Sequence, residues 1–202
     1  FVPPTEAIYE MFRAEGSDSV LAMAGDIKQM YTELPHDFIM EALDWLIAEF
    51  KETTRRSDVT APRFGRTGAH AGRDYNSQLK VMFSLQTLRE IVSFDINNAI
   101  FTVGDTTLKQ TVGIPMGSPI SPVLAVVVCA YSETLLNKRE CALNAPFKVR
   151  GLRYVDDAIF FTGYKSSDFA DLRRAQDLLK NIGNNCYQKM LELEWDENQN
   201  YI

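Results

Sequence analysis

Two adjacent carboxylates, Asp156 and Asp157, sit between two apolar, β-prone runs, Leu152 to Val155 and Ala158 to Phe161, inside the stretch Gly151 to Gly163. Such runs flanking a polar break suit two strands that meet at a tight turn. Neighbouring side chains within one strand point to opposite faces, so a turn is the arrangement that brings both acids to one edge. Two carboxylates at one spot repel, and both stay ionised only with positive charge between them. A hard divalent cation such as Mg²⁺ provides it, usually taking one or two carboxylates while substrate phosphates fill the remaining positions. Taken alone, an Asp-Asp pair is also ordinary chemistry for a solvated hairpin turn. The metal reading therefore requires a third acid and a nucleotide platform elsewhere in the chain.

A third acid stands early. Val20 to Ala24 is a short apolar run, followed by Gly25 and then Asp26-Ile27-Lys28-Gln29-Met30-Tyr31. It reads as a buried strand that delivers Asp26 at its end, then a turn that carries Tyr31. An Asp at a strand end also caps turns, so position alone does not decide its role. Pro35 opens an amphipathic helix to about Phe50, with Ile39, Leu43, Leu46, Ile47 and Phe50 on one face. His36, at its start, reads as a solvated or capping residue.

Residues 113–125 read GIPMGSPISPVLA. Gly113 and Gly117 allow close backbone approach, Pro115 and Pro119 stiffen the loop, and Ser121-Pro122 starts an apolar helix expected to run through Leu136. A loop of this kind at a helix N-terminus can form one wall of a nucleotide pocket. Its plainer reading is a Pro/Gly turn before a buried helix.

The remaining elements are scaffold. Residues 7–14 are weakly helical. Lys51 to Gln78 lacks hydrophobic periodicity and reads as a long loop or insertion. Leu79 to Val92 has a helical period, and Ile100 to Val103 with Thr106 to Val112 flank Gly104-Asp105 as a hairpin. Ser167 to Gly183 reads as a helix capped by Ser166 or Ser167 and stopped by Gly183, with Phe169, Leu172, Leu179 and Ile182 inward. Met190 to Trp195 alternates like a strand, and Tyr201-Ile202 starts a partner strand.

Composition narrows the partners. The 202-residue chain carries a net charge of −6, which on its face argues against nucleic acid. The charge is uneven, however: residues 51–80 hold seven Lys or Arg against three acids, a net +4 that leaves −10 for the rest. Arg55, Arg56, Arg63, Arg66 and Arg73, interleaved with Phe64 and Tyr75, make this the basic stretch that suits a phosphate backbone or a solvated loop. Three cysteines without metal-type spacing point to a reduced compartment. The longest apolar run, Val123 to Tyr131, is too short to span a bilayer, and no signal-peptide pattern precedes it. The chain starts at Phe1 rather than Met, which reads as a cut edge.

Asp26 with Tyr31 five residues on, then GIPMGSPISP, then Tyr154-Val155-Asp156-Asp157, resemble in order the conserved blocks of the reverse transcriptase palm. Those blocks are D-x-x-x-x-[YF], G-x-P-x-G-S-x-x-S-P and [FY]-x-D-D. The match is closest to Penelope-like element reverse transcriptases, relatives of telomerase catalytic subunits, and covers the chain from about Val20 onward except residues 51–78. Met116, where many retroviral-type enzymes carry Gln, is usual in that group. The resemblance implies an α+β polymerase palm: an antiparallel sheet carrying the catalytic acids, backed by helices, with partial fingers. It implies an RNA-directed DNA polymerase that adds deoxyribonucleoside triphosphates to a DNA primer on an RNA template.

Under that resemblance Asp26 and Asp156 would hold two Mg²⁺ ions, with Mn²⁺ able to substitute, roughly 3.5–4 Å apart. Asp157 would support the site, and the carbonyl of Ile27 would be a further metal ligand. Tyr31 would pack under the incoming sugar and exclude a 2′-hydroxyl. Met116, Gly117 and Ser118 would line the nucleotide pocket, and Lys189 would donate a proton to pyrophosphate. An RNA-dependent RNA polymerase shares the Asp-Asp turn but needs a polar residue where Tyr31 stands. A telomerase role and a non-catalytic palm serving as a nucleic-acid-binding scaffold are the other readings. The resemblance implies an intracellular protein, nuclear in a eukaryote. The basic fingers residues would precede Phe1 and the thumb would follow Ile202, so the chain alone is expected to be inactive.

Overall fold

The computed structural model describes residues 5–63, 68–72, 79–115, 117–143, 149–187 and 191–196. In chain order the elements are α1 (Thr5–Ala14), β1 (Ser19–Ile27), α2 (His36–Thr54), β2 (Asp58–Pro62), β3 (His70–Ala71), β4 (Lys80–Ser84) and α3 (Leu85–Asn97). They continue with β5 (Ile100–Val103), β6 (Thr106–Lys109), α4 (Ser121–Leu143), β7 (Val149–Tyr154), β8 (Asp157–Tyr164), α5 (Phe169–Cys186) and β9 (Leu193–Trp195). The fold is mixed α/β, and every strand pairing among the described residues is antiparallel. Among the described residues no helix is long and apolar enough to cross a membrane.

The chain divides into two compact units, Phe1–Glu33 with Ser132–Ile202, and Leu34–Tyr131. The first is built on a four-stranded sheet in the order β7-β8-β1-β9. β1 sits inside it because its apolar run can be covered on both faces: Val20, Leu21, Ala22 and Met23 are all buried. Val20 and Ala22 join Phe161 of β8 and Ile8 and Phe12 of α1 in one cluster. Leu21 and Met23 point to the opposite side, and α5, which buries Ala175, Leu179 and Ile182, packs on β1 and β8. Fully burying a side chain the size of Leu21 or Met23 contributes about 1.5–3 kcal/mol.

The second unit holds α2, α3, a three-stranded sheet in the order β3-β2-β4 and the separate β5–β6 hairpin. α2 buries Ile39, Ala42 and Leu43, while Leu46, expected on the inner face, is exposed. Its Asp44 carboxylate takes two hydrogen bonds from Arg89 of α3, at 2.5 and 2.9 Å.

Several boundaries differ from the sequence expectation. Residues 51–78 are not all loop: α2 runs on to Thr54, and β2 and β3 follow, joined where the buried Thr60 hydroxyl donates to Gly72 O at 2.6 Å. The helix expected from Leu79 begins only at Leu85, because Lys80–Ser84 pairs with β2 and Ser84 caps α3 by accepting from Thr87 N–H at 3.0 Å. α5 is capped by Asp168, which accepts from Ala170 N–H at 2.9 Å, and not by Ser166 or Ser167. It passes through Gly183, and Phe169 is exposed. α4 extends past Leu136 to Leu143. The expected hairpin at Gly104-Asp105 and the strand ending at Trp195 are both present. The strand start at Tyr201-Ile202 lies outside the described residues.

Candidate active site

The hairpin forms with a two-residue loop, but the loop falls one residue earlier than the sequence expectation, which put both acids in the turn and Val155 in the strand. Tyr154 pairs with Asp157, leaving Val155 and Asp156 as the loop residues. Val155 takes φ 58°, a left-handed conformation that costs a β-branched residue free energy. Arg153 holds it there. The guanidinium donates to Val155 O at 2.9 Å and to Glu133 Oε1 at 2.5 Å, and Glu133 Oε1 also accepts from the Tyr187 hydroxyl at 3.1 Å. Sequence reading assigned no role to Glu133 or Tyr187, because residues this far apart in the chain leave no local signal.

Register brings the third acid to the same place. Asp26 is the direct cross-strand partner of Asp157. Ile27 N–H donates to Asp156 O at 2.9 Å, so the rung beyond is a hydrogen-bonded one and Asp26 and Asp157 form the alternate, non-hydrogen-bonded kind. In that kind of pair the Cα atoms lie about 4.5 Å apart and the side chains share one face. Asp26 is half-buried, and Asp156 and Asp157 are exposed. Asp26 and Asp157 therefore stand side by side at the shared end of the two inner strands, with Asp156 next to them in the hairpin loop.

On its other side Asp26 faces Glu194 of β9. Gly25 permits this approach: a Cβ there would lie 2.6 Å from Glu194 O. Lys28 completes the group, its Nζ standing 2.7 Å from Asp26 Oδ2 and 2.9 Å from Glu194 Oε2. The hydrogen bond to Asp26, then that to Glu194, raises the Lys28 pKa well above the ordinary lysine value. Lys28 and Glu194 were missed at the sequence level. Lys28 was visible as the second residue after Asp26, on the same face, but only β9 pairing brings Glu194 in.

Ile27 is buried, and Tyr31, half-buried, lies in the turn that leaves β1. Gly117 and Ser118 belong to the second unit. Gly117 takes φ 100°, a conformation suited to glycine, and nothing lies within 4 Å of where its Cβ would be. The Ser118 hydroxyl donates to Asp95 Oδ2 of α3 at 2.8 Å, and Ser121 Oγ donates to Pro115 O. His36 is not merely solvated or capping: its Nε2 lies 3.1 Å from Gly113 O, and Gly113 N–H donates to Leu34 O at 2.7 Å. Met116 and Lys189 lie outside the described residues.

Among the described residues, no group of three or more His, Cys, Asp or Glu side chains converges closely enough to hold a metal ion. One cation of the protein's own stands beside Asp26. The Lys28 ammonium already occupies Asp26 Oδ2, and a second carboxylate stands on the neighbouring strand at the same rung.

A mixed α/β fold of antiparallel sheets, with acids at the shared end of its two inner strands, is compatible with a polymerase-like fold, and solved structures narrow the likeness. The chain is similar to telomerase from Candida albicans in complex with a TWJ fragment of telomeric RNA, at TM-score 0.60 and 14% identity, covering 100% of this chain and 32% of that one. It is also similar to telomerase from Candida tropicalis in complex with a TWJ fragment of telomeric RNA, at TM-score 0.58 and 18% identity, covering 95% and 28%. For apo telomerase from Candida tropicalis truncated from its C-terminal domain the values are 0.52 and 17%, covering 100% and 38%. At these identities the likeness is one of fold. The chain spans about a third of the length of these proteins. No protein-family model and no curated protein matches it.

Proposed function

We propose that the chain is the palm portion of an RNA-directed DNA polymerase, with its nucleotidyl-transfer site at the β1–β8 edge. The observation that carries this reading is the register pairing of Asp26 with Asp157, beside Asp156 in the hairpin loop. That arrangement sets acids from two distant stretches on one edge, which a solvated turn does not require. Asp26, Asp156 and Asp157, with the carbonyl of Ile27, would hold two Mg²⁺ ions, or Mn²⁺ in their place. Bound there, the ions would activate the primer 3′-hydroxyl and neutralise charge on the departing pyrophosphate.

The protein's own groups do the rest. Strand pairing fixes the acids without reorganisation, and the Arg153 guanidinium keeps the loop in its strained form. Tyr31 would exclude a 2′-hydroxyl and so select deoxyribonucleoside triphosphates. Gly117 and Ser118, with Met116, would line the nucleotide side, and Lys189 would donate a proton to pyrophosphate. An RNA template and a DNA primer are the partners this chemistry needs.

A retroelement enzyme of the Penelope-like group and a telomerase-type enzyme share this site. The motif spelling favours the first, and the fold likeness to the Candida telomerases favours the second. Primer extension on an RNA template, by the longest natural polypeptide carrying this chain, tests the common reading. Extension with deoxyribonucleotides only, lost in Asp156→Asn/Asp157→Asn, supports it. A folded, template-binding protein that extends nothing would replace it with a scaffold.

A further inference from the structure

The Lys28 side chain poses a problem for any cation that binds the acid edge. Its ammonium sits on Asp26 Oδ2 at 2.7 Å, so an incoming divalent ion meets that oxygen already occupied. The same ammonium lies 2.9 Å from Glu194 Oε2, on the strand beyond. Asp26 stands in the middle of a cross-strand row, with Asp157 on one side and Glu194 on the other. Like charges directly opposite each other destabilise a sheet, so this row of three acids needs a cation even when no metal is bound.

We propose that Lys28 is a resident counter-ion of the acid edge, seated on Asp26 in the metal-free protein and drawn off onto Glu194 when a divalent cation binds. Glu194 is then a positioning residue that acts through Lys28. This rests on the reading of Asp26 as a metal ligand. Three features fit Lys28 to the task. Its ammonium is a compact charge on a flexible stem, so it can release one oxygen while keeping the other. Its side chain is 46% exposed, so the move is not blocked by packing. Glu194, at 67% exposure, is open to receive it. A divalent ion outcompetes a single ammonium between Asp26 and Asp157 because it attracts both carboxylates with twice the charge.

The proposal predicts opposite effects from neighbouring substitutions. Mn²⁺ binding to the 202-residue chain, followed by the electron paramagnetic resonance signal of the free ion, is the direct measurement. Lys28→Gln frees Asp26 and should tighten Mn²⁺ binding about two- to five-fold, the range for a solvent-exposed ion pair. Glu194→Gln leaves Lys28 only Asp26 and should weaken binding by a similar factor. In the Lys28→Gln background Glu194→Gln should have little further effect, since its influence passes through the lysine. Raising the ionic strength should narrow the gap between wild type and Lys28→Gln. In the absence of metal Lys28→Gln should melt at lower temperature, with Mn²⁺ restoring the loss. Lys28→Met repeats the test with a different side chain.

Unchanged or weaker Mn²⁺ binding in both Lys28 variants would overturn the proposal. Equal weakening by Glu194→Gln with and without Lys28 would overturn it as well, making Glu194 a ligand in its own right. If wild type binds no Mn²⁺, or binding survives Asp26→Asn, the reading of the edge as a metal site fails and the role of Lys28 fails with it.

Discussion

Arg153 shows how much of the site rests on a single side chain. Its guanidinium is mostly buried, holds Glu133 and keeps Val155 in a left-handed turn. Arg153→Ala should cost about 1.5–3 kcal/mol, the range for hydrogen bonds to charged groups, read from urea unfolding. It should weaken divalent binding too, since Asp156 belongs to the loop it supports. Asp18 offers a pH-dependent test. Its carboxylate accepts from Ser166 N–H at 2.6 Å, and that hydrogen bond, first among the causes, lowers its pKa below the ordinary 3.8. A depressed carboxylate stabilises the fold above its unfolded pKa, and that contribution disappears as pH falls through the folded value. The urea midpoints of wild type and Asp18→Ala should thus differ steadily at neutral pH and converge below about pH 4.

At the scale of elements, β9 is short yet does two jobs. It carries Glu194 beside Asp26, and its Trp195 covers Gly183 of α5 and packs edge-on against Phe160 of β8. Gly183 reads in sequence as a helix stop, but α5 continues to Cys186. The position needs glycine for space, since a Cβ there would fall inside the Trp195 indole. Alanine favours a helix interior by about 1 kcal/mol over glycine, whereas overpacking costs about 1–3 kcal/mol. Gly183→Ala should therefore destabilise in thermal melts despite its better helix propensity. A gain in melting temperature would show that β9 yields easily.

Across the whole molecule, protection from solvent is unequal. β1 is a central strand with its apolar residues buried on both faces, whereas all the residues of β5 and β6 are exposed and that hairpin pairs with no other strand among the described residues. Local opening free energy follows buried contact and hydrogen-bond shielding. Amide hydrogen exchange should leave Leu21 to Met23 protected longest and strip β5 and β6 first. Comparable protection in the hairpin would mean that something covers Phe101, Val103 and Leu108 in solution.

Local chemistry was enough to read β1, the Gly104 and Asp-Asp hairpins, and the helix that follows Pro35. Apolar runs, turn residues and caps act over a few positions, and these elements depend on little else. Local chemistry also put Asp26 at a strand end and Asp156 and Asp157 at a turn, but it left their role open, and only the resemblance to polymerase blocks grouped the three. Ser84 and Asp168 as caps, the true start of α3 and the sheet within residues 51–78 were not legible. For Ser84, the start of α3 and the sheet, strand pairing outweighed the helical period and the polar composition, whereas at α5 Asp168 caps where the sequence offered Ser166 or Ser167. The sequence by itself determined that carboxylates stand at the end of β1 and in the β7–β8 turn. Strand register alone decided that Asp26 stands between Asp157 and Glu194, because pairing is a long-range property and moving one residue along the ladder would turn Asp26 to the opposite face.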